Sequence, residues 1–269
     1  CWNDRVYYEG KEFPAGQFAA EILNFAGVIH DPLLERITVL TALVDDLSTA
    51  EKNKRHDIAA ELKPLLHDTI SWLYTCPPFC YCEEQRAYEA LEHALSEERL
   101  EAHLPYLALS FCEPILRILV AIYNFCLLIR AFEMKYLRRS KQRNADAFAK
   151  AAHECFDEDD SFLILLEQMP FGEVEEFFSY PRVVTGFKYF QDENDEEKWK
   201  TAQRVICKRA IDFYIFDLMN GLHHGHAPSQ CQGCGRYFLT TNGHIPKYCD
   251  GVAPQDNRYT CRQYGAMMH

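Results

Sequence analysis

Apolar residues recur along most of the chain at intervals of three and four, the spacing of one face of a helix. Phe18, Ile22, Phe25 and Ile29 set this rhythm over 16–30. Asp31-Pro32 reads as the N-cap and first-turn proline of a second helix reaching about Leu47. Ile58, Leu62, Leu65, Leu66, Ile70 and Leu73 mark a third helix over 50–74, with Ser48 or Thr49 as its cap. Pro64 lies inside that helix and predicts a kink or a split. Helix is expected again over 83–103, over 104–139 with a break at Glu113-Pro114, and over 146–156 and 161–169. Around Gly186 the residues become β-branched and aromatic, so a short hairpin or extended segment is expected near 181–190. Trp199, Ala202, Val205, Ile206, Ala210, Phe213, Phe216 and Leu222 then predict one strong helix over 198–222, stopped at Gly225. Residues 1–15 are expected to be irregular. The fold class is therefore mainly α, with a helical domain over 1–226 and a small separate module over 227–269.

That module carries the strongest chemical signal. Cys231, Cys234, Cys249 and Cys261 match a structural zinc site, because Zn²⁺ takes four ligands in a tetrahedron and favours thiolate. Gly233 and Gly235 flank Cys234 and allow the sharp bend that points two sulfurs at one place. Tyr237-Phe238-Leu239 reads as a strand, Asn242-Gly243 as a hairpin turn, and 245–248 as the returning strand that delivers Cys249. Thr260 is a candidate N-cap, which places Cys261 on the first turn of a final helix. These features describe a zinc-ribbon or treble-clef-like module with one structural Zn²⁺ per chain. Free thiols or disulfides are the competing reading, and His244 is the substitute ligand should Cys249 or Cys261 not bind. Eleven residues separate the last two cysteines, and 250–259 is expected to bulge as a loop. Four thiolates leave no open position, which speaks against hydrolytic chemistry.

Other candidates have blander explanations. Cys76, Cys80 and Cys82 with His67 form a second cluster, but Pro77 and Pro78 and the lack of a fourth cysteine favour an interhelical loop with core thiols. The cations Lys135, Arg138, Arg139, Lys141 and Arg143 read as a phosphate patch or, more simply, as complements to a helix C-terminus and acidic neighbours. His223, His224 and His226 are expected to sit solvated at a helix end. No phosphate-cradling loop, dinucleotide fingerprint or nucleophile elbow is found, so an enzyme is not expected.

A net charge of −12 over 269 residues makes general attraction to nucleic acid or an anionic membrane unfavourable. The distribution changes that picture. From Ser229 onward there are four cations, Arg236, Lys247, Arg258 and Arg262, against Asp250 and Asp256, so the rest of the chain carries about −14 by subtraction. These four are the candidate nucleic-acid contacts, with DNA or RNA as partner. The apolar stretch 115–129 is interrupted by Arg117 and Asn124 and is expected to be too short to span a bilayer. Eight of the twelve cysteines are scattered through helical, apolar patterns and no signal peptide opens the chain, so a reducing, cytoplasmic compartment is expected.

Cys231-Gln-Gly-Cys-Gly-Arg-Tyr-Phe, Lys247-Tyr-Cys and Thr260-Cys-Arg-Gln-Tyr-Gly-Ala together resemble an uncharacterised bacterial family of helical proteins ending in a four-cysteine module. More distantly, they are similar to the CGNR zinc-finger group. The resemblance implies a helical N-terminal domain and a zinc finger that contacts DNA in a transcription regulator. Cys261 is followed by Arg-Gln-Tyr, so the Gly-Asn-Arg part of the group's name motif is missing. Two roles are expected on these grounds. One is a nucleic-acid-binding regulator; the other is an interaction or scaffold protein with a zinc staple and Tyr237, Tyr259 and Tyr264 as an exposed surface.

Overall fold

A computed structural model of the chain describes residues 4–8, 11–77, 79–81, 104–167, 183–192, 195–207, 209–241, 243 and 246–268. The expected helix over 83–103 lies outside them, as do Cys82 and His244. The described chain is mainly helical, with small antiparallel strand pairs. It divides into two compact units, one comprising Cys1–Leu23 with Leu127–His269 and the other Asn24–Cys126.

In the second unit, a short π-helical turn, Ala26–His30, runs into α2, Asp31–Thr49, followed by α3, Lys52–Leu73. Leu33, Ile37, Leu40, Val44 and Leu47 form the buried stripe of α2, and Leu62, Leu66, Ile70 and Leu73 that of α3. Arg36 lies over the Trp72 ring at 5.1 Å. Pro64 does not split α3. Its ring and Ala60, whose carbonyl loses its donor, both face solvent, while Leu62 and Leu66 stay buried on the other side. Likewise α4, Leu104–Lys135, continues through Pro114 where a break was expected. The stretch Ile115–Arg139 is longer than the sequence reading allowed, and is apolar enough by length and composition to cross a membrane, with half of its most apolar window buried. Leu119, Ile122, Phe125, Leu128, Ile129 and Phe132 account for that burial, as in the core helix of a folded domain.

The first unit holds everything that positions the cysteines. Residues expected to be irregular form a hairpin, β1 Arg5–Tyr8 with β2 Lys11–Pro14, and α1, Gln17–Ile22, follows. After α4 come α5, Ala145–Phe156, and α6, Asp160–Glu167. The segment expected as one helix over 198–222 is instead two elements. β3, Val183–Asp192, pairs with β4, Asp195–Cys207, and α7, Ala210–His223, begins only afterwards. The physical reason is that Trp199, Ala202, Val205 and Ile206 fit a helical period and a strand period alike, and pairing with β3 decides between them.

α7 is the unit's organising helix. Gly16 has φ 89° and no side-chain cap of its own. Asp217 of α7 takes over that task, accepting from Gly16 N at 2.9 Å through Oδ1 and from Ala19 N at 2.9 Å through Oδ2. A Cβ added at Gly221 would stand 2.8 Å from Gly16 Cα, so glycine is needed for the two backbones to approach. Phe18 packs on Phe13 and Phe213 at ring distances of 5.0 and 5.2 Å. Gly225, at φ 78°, stops the helix as expected. The expectation of solvated histidines fails at His226, which is buried with Nδ1 2.9 Å from Ala15 O. Part of the basic run is engaged by the fold: Arg138 Nε pairs with fully buried Glu133 at 2.9 Å, Arg143 is buried against Thr240, and Lys135 pairs with Asp159, whereas Arg139 and Lys141 are exposed. That is the blander of its two readings.

Candidate metal centre

Two stretches of chain, 231–234 and 249–261, deliver the four sulfurs. α7 leads into β5, Ala227–Gln230, which ends at Cys231 and pairs with β6, Tyr237–Thr240. The expected partner of that strand was 245–248. Residues 246–248 form bends instead, and Ile245 lies outside the described residues. Between β5 and β6 the chain makes a tight knuckle. Gly235, at φ 73°, donates to Cys231 O at 2.9 Å, and Cys231 N donates to Arg236 O at 2.8 Å. A non-glycine residue would be strained in that left-handed conformation.

Cys249 and Cys261 come together through a feature the sequence reading missed. The expected loop between them is a small hairpin, β7 Val252–Ala253 with β8 Asp256–Thr260. Its ends are closed by Cys261 N donating to Gly251 O at 2.7 Å and Arg262 N to Cys249 O at 3.1 Å. A hairpin therefore compresses the eleven intervening residues to one contact. Thr260 caps the last helix, α8 Cys261–Met267, as expected; its Oγ1 accepts from Gln263 N at 3.2 Å and Gln263 Oε1 accepts from Thr260 N at 2.9 Å. Tyr248 lies flat against Gly265 of α8, where an added Cβ would stand 2.4 Å from the ring.

The result is a compact four-sulfur cluster. All four Sγ atoms lie within 4.8 Å of one another, three of the cysteines are buried, and Cys234 is partly buried. Cys234 Sγ and Cys249 Sγ are 3.6 Å apart. A tetrahedron with metal–sulfur bonds of about 2.3 Å has sulfur–sulfur edges of about 3.8 Å, so the cluster is of the right size to hold one metal ion. None of the cysteines in question is oxidised to a disulfide. Gly233 N and Cys249 N donate to Cys231 Sγ at 3.4 and 3.3 Å. Burial works against the Cys231 thiolate, but these donors and that of Cys234 outweigh it and bring the thiol down to about 7. Burial pushes Cys249 up to about 11 and raises Cys261 further. A bound cation reverses that order, since a coordinating thiol is deprotonated outright.

The four candidate nucleic-acid contacts are not alike. Arg258 chelates Asp256, with Nη2 2.7 Å from Oδ2, and Arg262 Nη2 lies 3.1 Å from Asp250 Oδ2. Each is thus partly neutralised within the module. Arg236 and Lys247 have no ion-pair partner among the described residues. The tyrosines expected as an exposed surface are half-buried: Tyr264 packs on the cysteine cluster and Tyr237 lies under Arg130 at 5.6 Å. Among the described residues, the exposed large apolar side chains of the module are Val252, Met267 and Met268. The Cys76 and Cys80 thiols join no metal-sized cluster among the described residues.

Residues 179–269 match a family of unknown function (DUF6076). The match takes in β3, β4, α7 and the whole four-cysteine module. No curated protein and no solved structure matches the chain, and the matches do not extend to the CGNR group.

Proposed function

We propose that Cys231, Cys234, Cys249 and Cys261 hold one Zn²⁺ as a structural ion. The observation that carries this is the convergence of four sulfurs, from two chain segments with short strands, to within 4.8 Å. Four thiolates with one Zn²⁺ carry a formal −2, which suits the N–H groups aimed at Cys231 Sγ. With every tetrahedral position filled by protein, the ion folds the module and leaves no place for a reactive water, so its role is structural and not catalytic. Thiolate ligation also suits a reducing, cytoplasmic compartment.

Because Arg258 and Arg262 are engaged by Asp256 and Asp250, the module is read first as a zinc-stapled platform for a macromolecular partner, in the manner of an interaction or scaffold protein. A second reading, a nucleic-acid-binding regulator, is supported by Arg236 and Lys247, which are free of ion pairs among the described residues. So few cations predict a shallow salt dependence. Metal analysis of protein purified without added metal tests the first step: one zinc per chain is expected, whereas iron, or no metal at all, overturns it. Fluorescence anisotropy against double-stranded DNA and single-stranded RNA, with and without chelator, separates the two roles. Chelator-sensitive binding lost on replacing Arg236 and Lys247 establishes the nucleic-acid role, and no binding at low salt removes it.

A further inference from the structure

The β3–β4 ribbon presents an unused face. Its register pairs Val183 with Cys207, Thr185 with Val205, Phe187 with Gln203, Tyr189 with Thr201 and Gln191 with Trp199. Side chains alternate across a strand, so these ten residues share one face, and none of them is charged. The cations Lys188, Lys200 and Arg204 hold alternate positions of the register. On the uncharged face Phe187 is 73 % exposed and Tyr189 67 % exposed. The sheet has only these two strands among the described residues, so both of its edges are open as well. A two-stranded ribbon is at best marginally stable by itself, and a neutral aromatic face with open edges is a template for association.

Charge along the ribbon specifies what covers it. The acidic residues gather at the turn, with Asp192 ending β3, Asp195, Glu196 and Glu197 opening β4, and Glu193 between them in sequence. The opposite end is basic: Arg204 lies three residues before the end of β4, Arg182 directly precedes β3 and Lys208 directly follows β4 in sequence. A second ribbon laid antiparallel on the first, about a two-fold axis near Phe187, brings the acidic turn of each copy beside the basic root of the other. Such an isologous contact satisfies both ends at once. A base-stacking nucleic-acid strand would instead meet the acidic turn.

We propose that this ribbon is a homotypic interface, through which two copies of the chain pack antiparallel on the uncharged faces of β3 and β4. The inference is independent of the metal site. The face measures about 30 Å by 10 Å, small beside the roughly 800 Å² per partner of a standard complex, so association in the micromolar range is expected.

Sedimentation velocity of the full chain over roughly 1 to 200 μM tests it. The wild-type chain should pass from monomer to dimer across that range, and less readily at about 500 mM than at about 50 mM salt, where screening is weaker. Phe187→Lys with Tyr189→Lys should hold the chain monomeric with its helical circular dichroism unchanged. Should that variant misfold, two charge reversals carry the test: Glu196→Lys with Glu197→Lys in one chain, and Arg182→Glu with Arg204→Glu in another. Each alone should dimerise at least about tenfold more weakly, and an equimolar mixture should recover dimers. A monomeric wild type, an unaltered dimer in the Phe187 and Tyr189 variant, or no recovery on mixing overturns the proposal. So does a monomer that binds a single-stranded oligonucleotide through Phe187 and Tyr189, which would make the face a stacking platform.

Discussion

The turn after α3 and the knuckle after β5 both carry closely spaced cysteines, yet among the described residues only the knuckle gathers sulfurs into a metal-sized cluster. The difference lies in where the backbone N–H groups point. After α3, Cys76 N donates to Leu73 O at 2.9 Å and Cys80 N to Cys76 O at 3.0 Å, so those donors finish the helix and its turn. Pro77 and Pro78, between them, have no N–H to offer. In the knuckle, Gly233 N and Cys249 N are aimed at Cys231 Sγ instead. Cysteine spacing alone therefore does not make a site; donors that stabilise concentrated negative charge on sulfur do.

The largest effect should come from breaking the knuckle itself. Cys249 joins the knuckle to the start of α8, with its sulfur beside Cys234 and its carbonyl bonded to Arg262 N. Loss of a group that merely supports a ligand weakens metal binding roughly 10- to 100-fold, so Cys249→Ser should weaken it by about 100-fold or more. Competition with a chromogenic chelator measures this, and amide exchange over 231–261 should rise in the same variant. Metal affinity equal to wild type would show that the cluster is a set of buried thiols.

An effect of comparable size is expected from the anchor behind the knuckle, which contains none of the clustered cysteines. Burial pushes Asp217 up to about 6, against the opposing N–H groups of Ala19 and Gly16. Its folded pKa thus lies above its ordinary value of 3.8, so protonated Asp217 favours the folded state. That contribution is complete below about pH 4 and is lost as pH rises through about 6, a change of roughly 3 kcal/mol for two pKa units. Asp217→Asn cannot ionise. Its stability relative to wild type should therefore rise between pH 4 and pH 7 in denaturant titrations; a constant difference between the two proteins would assign the pH dependence elsewhere.

The same contrast shows what could be read from the residues. The four clustered cysteines were legible because their chemistry resides in residue type, and the capped start of α8 because Thr260 and Gln263 are local neighbours. α2 and α3 were legible from one-sided burial. β4 was not, since its apolar positions satisfy two periods and its partner strand settles the matter. The hairpin between Cys249 and Cys261 was hidden by polar residues such as Asp256, Asn257 and Arg258 that resemble a loop. Asp217 was hidden by distance, because the helix start it caps lies 201 residues away. Neither Asn242-Gly243 nor its flanking strands could reveal that β6 pairs backward with β5, which α7 holds in place.

The smallest effect, and the sharpest limit on the comparison, is expected at the other turn. Cys76→Ser with Cys80→Ser removes two thiols that are each only partly buried. Thr75 Oγ1 lies 3.7 Å from Cys76 Sγ, a contact a serine hydroxyl can replace with a stronger hydrogen bond. The cost should stay within about 1 kcal/mol, as for replacements outside a packed core. Metal content should be unchanged at its wild-type value, because neither thiol belongs to a metal-sized cluster among the described residues. Loss of a metal equivalent in this double variant would mean that the turn after α3 assembles its own site. Donor direction would then cease to be what separates the two turns.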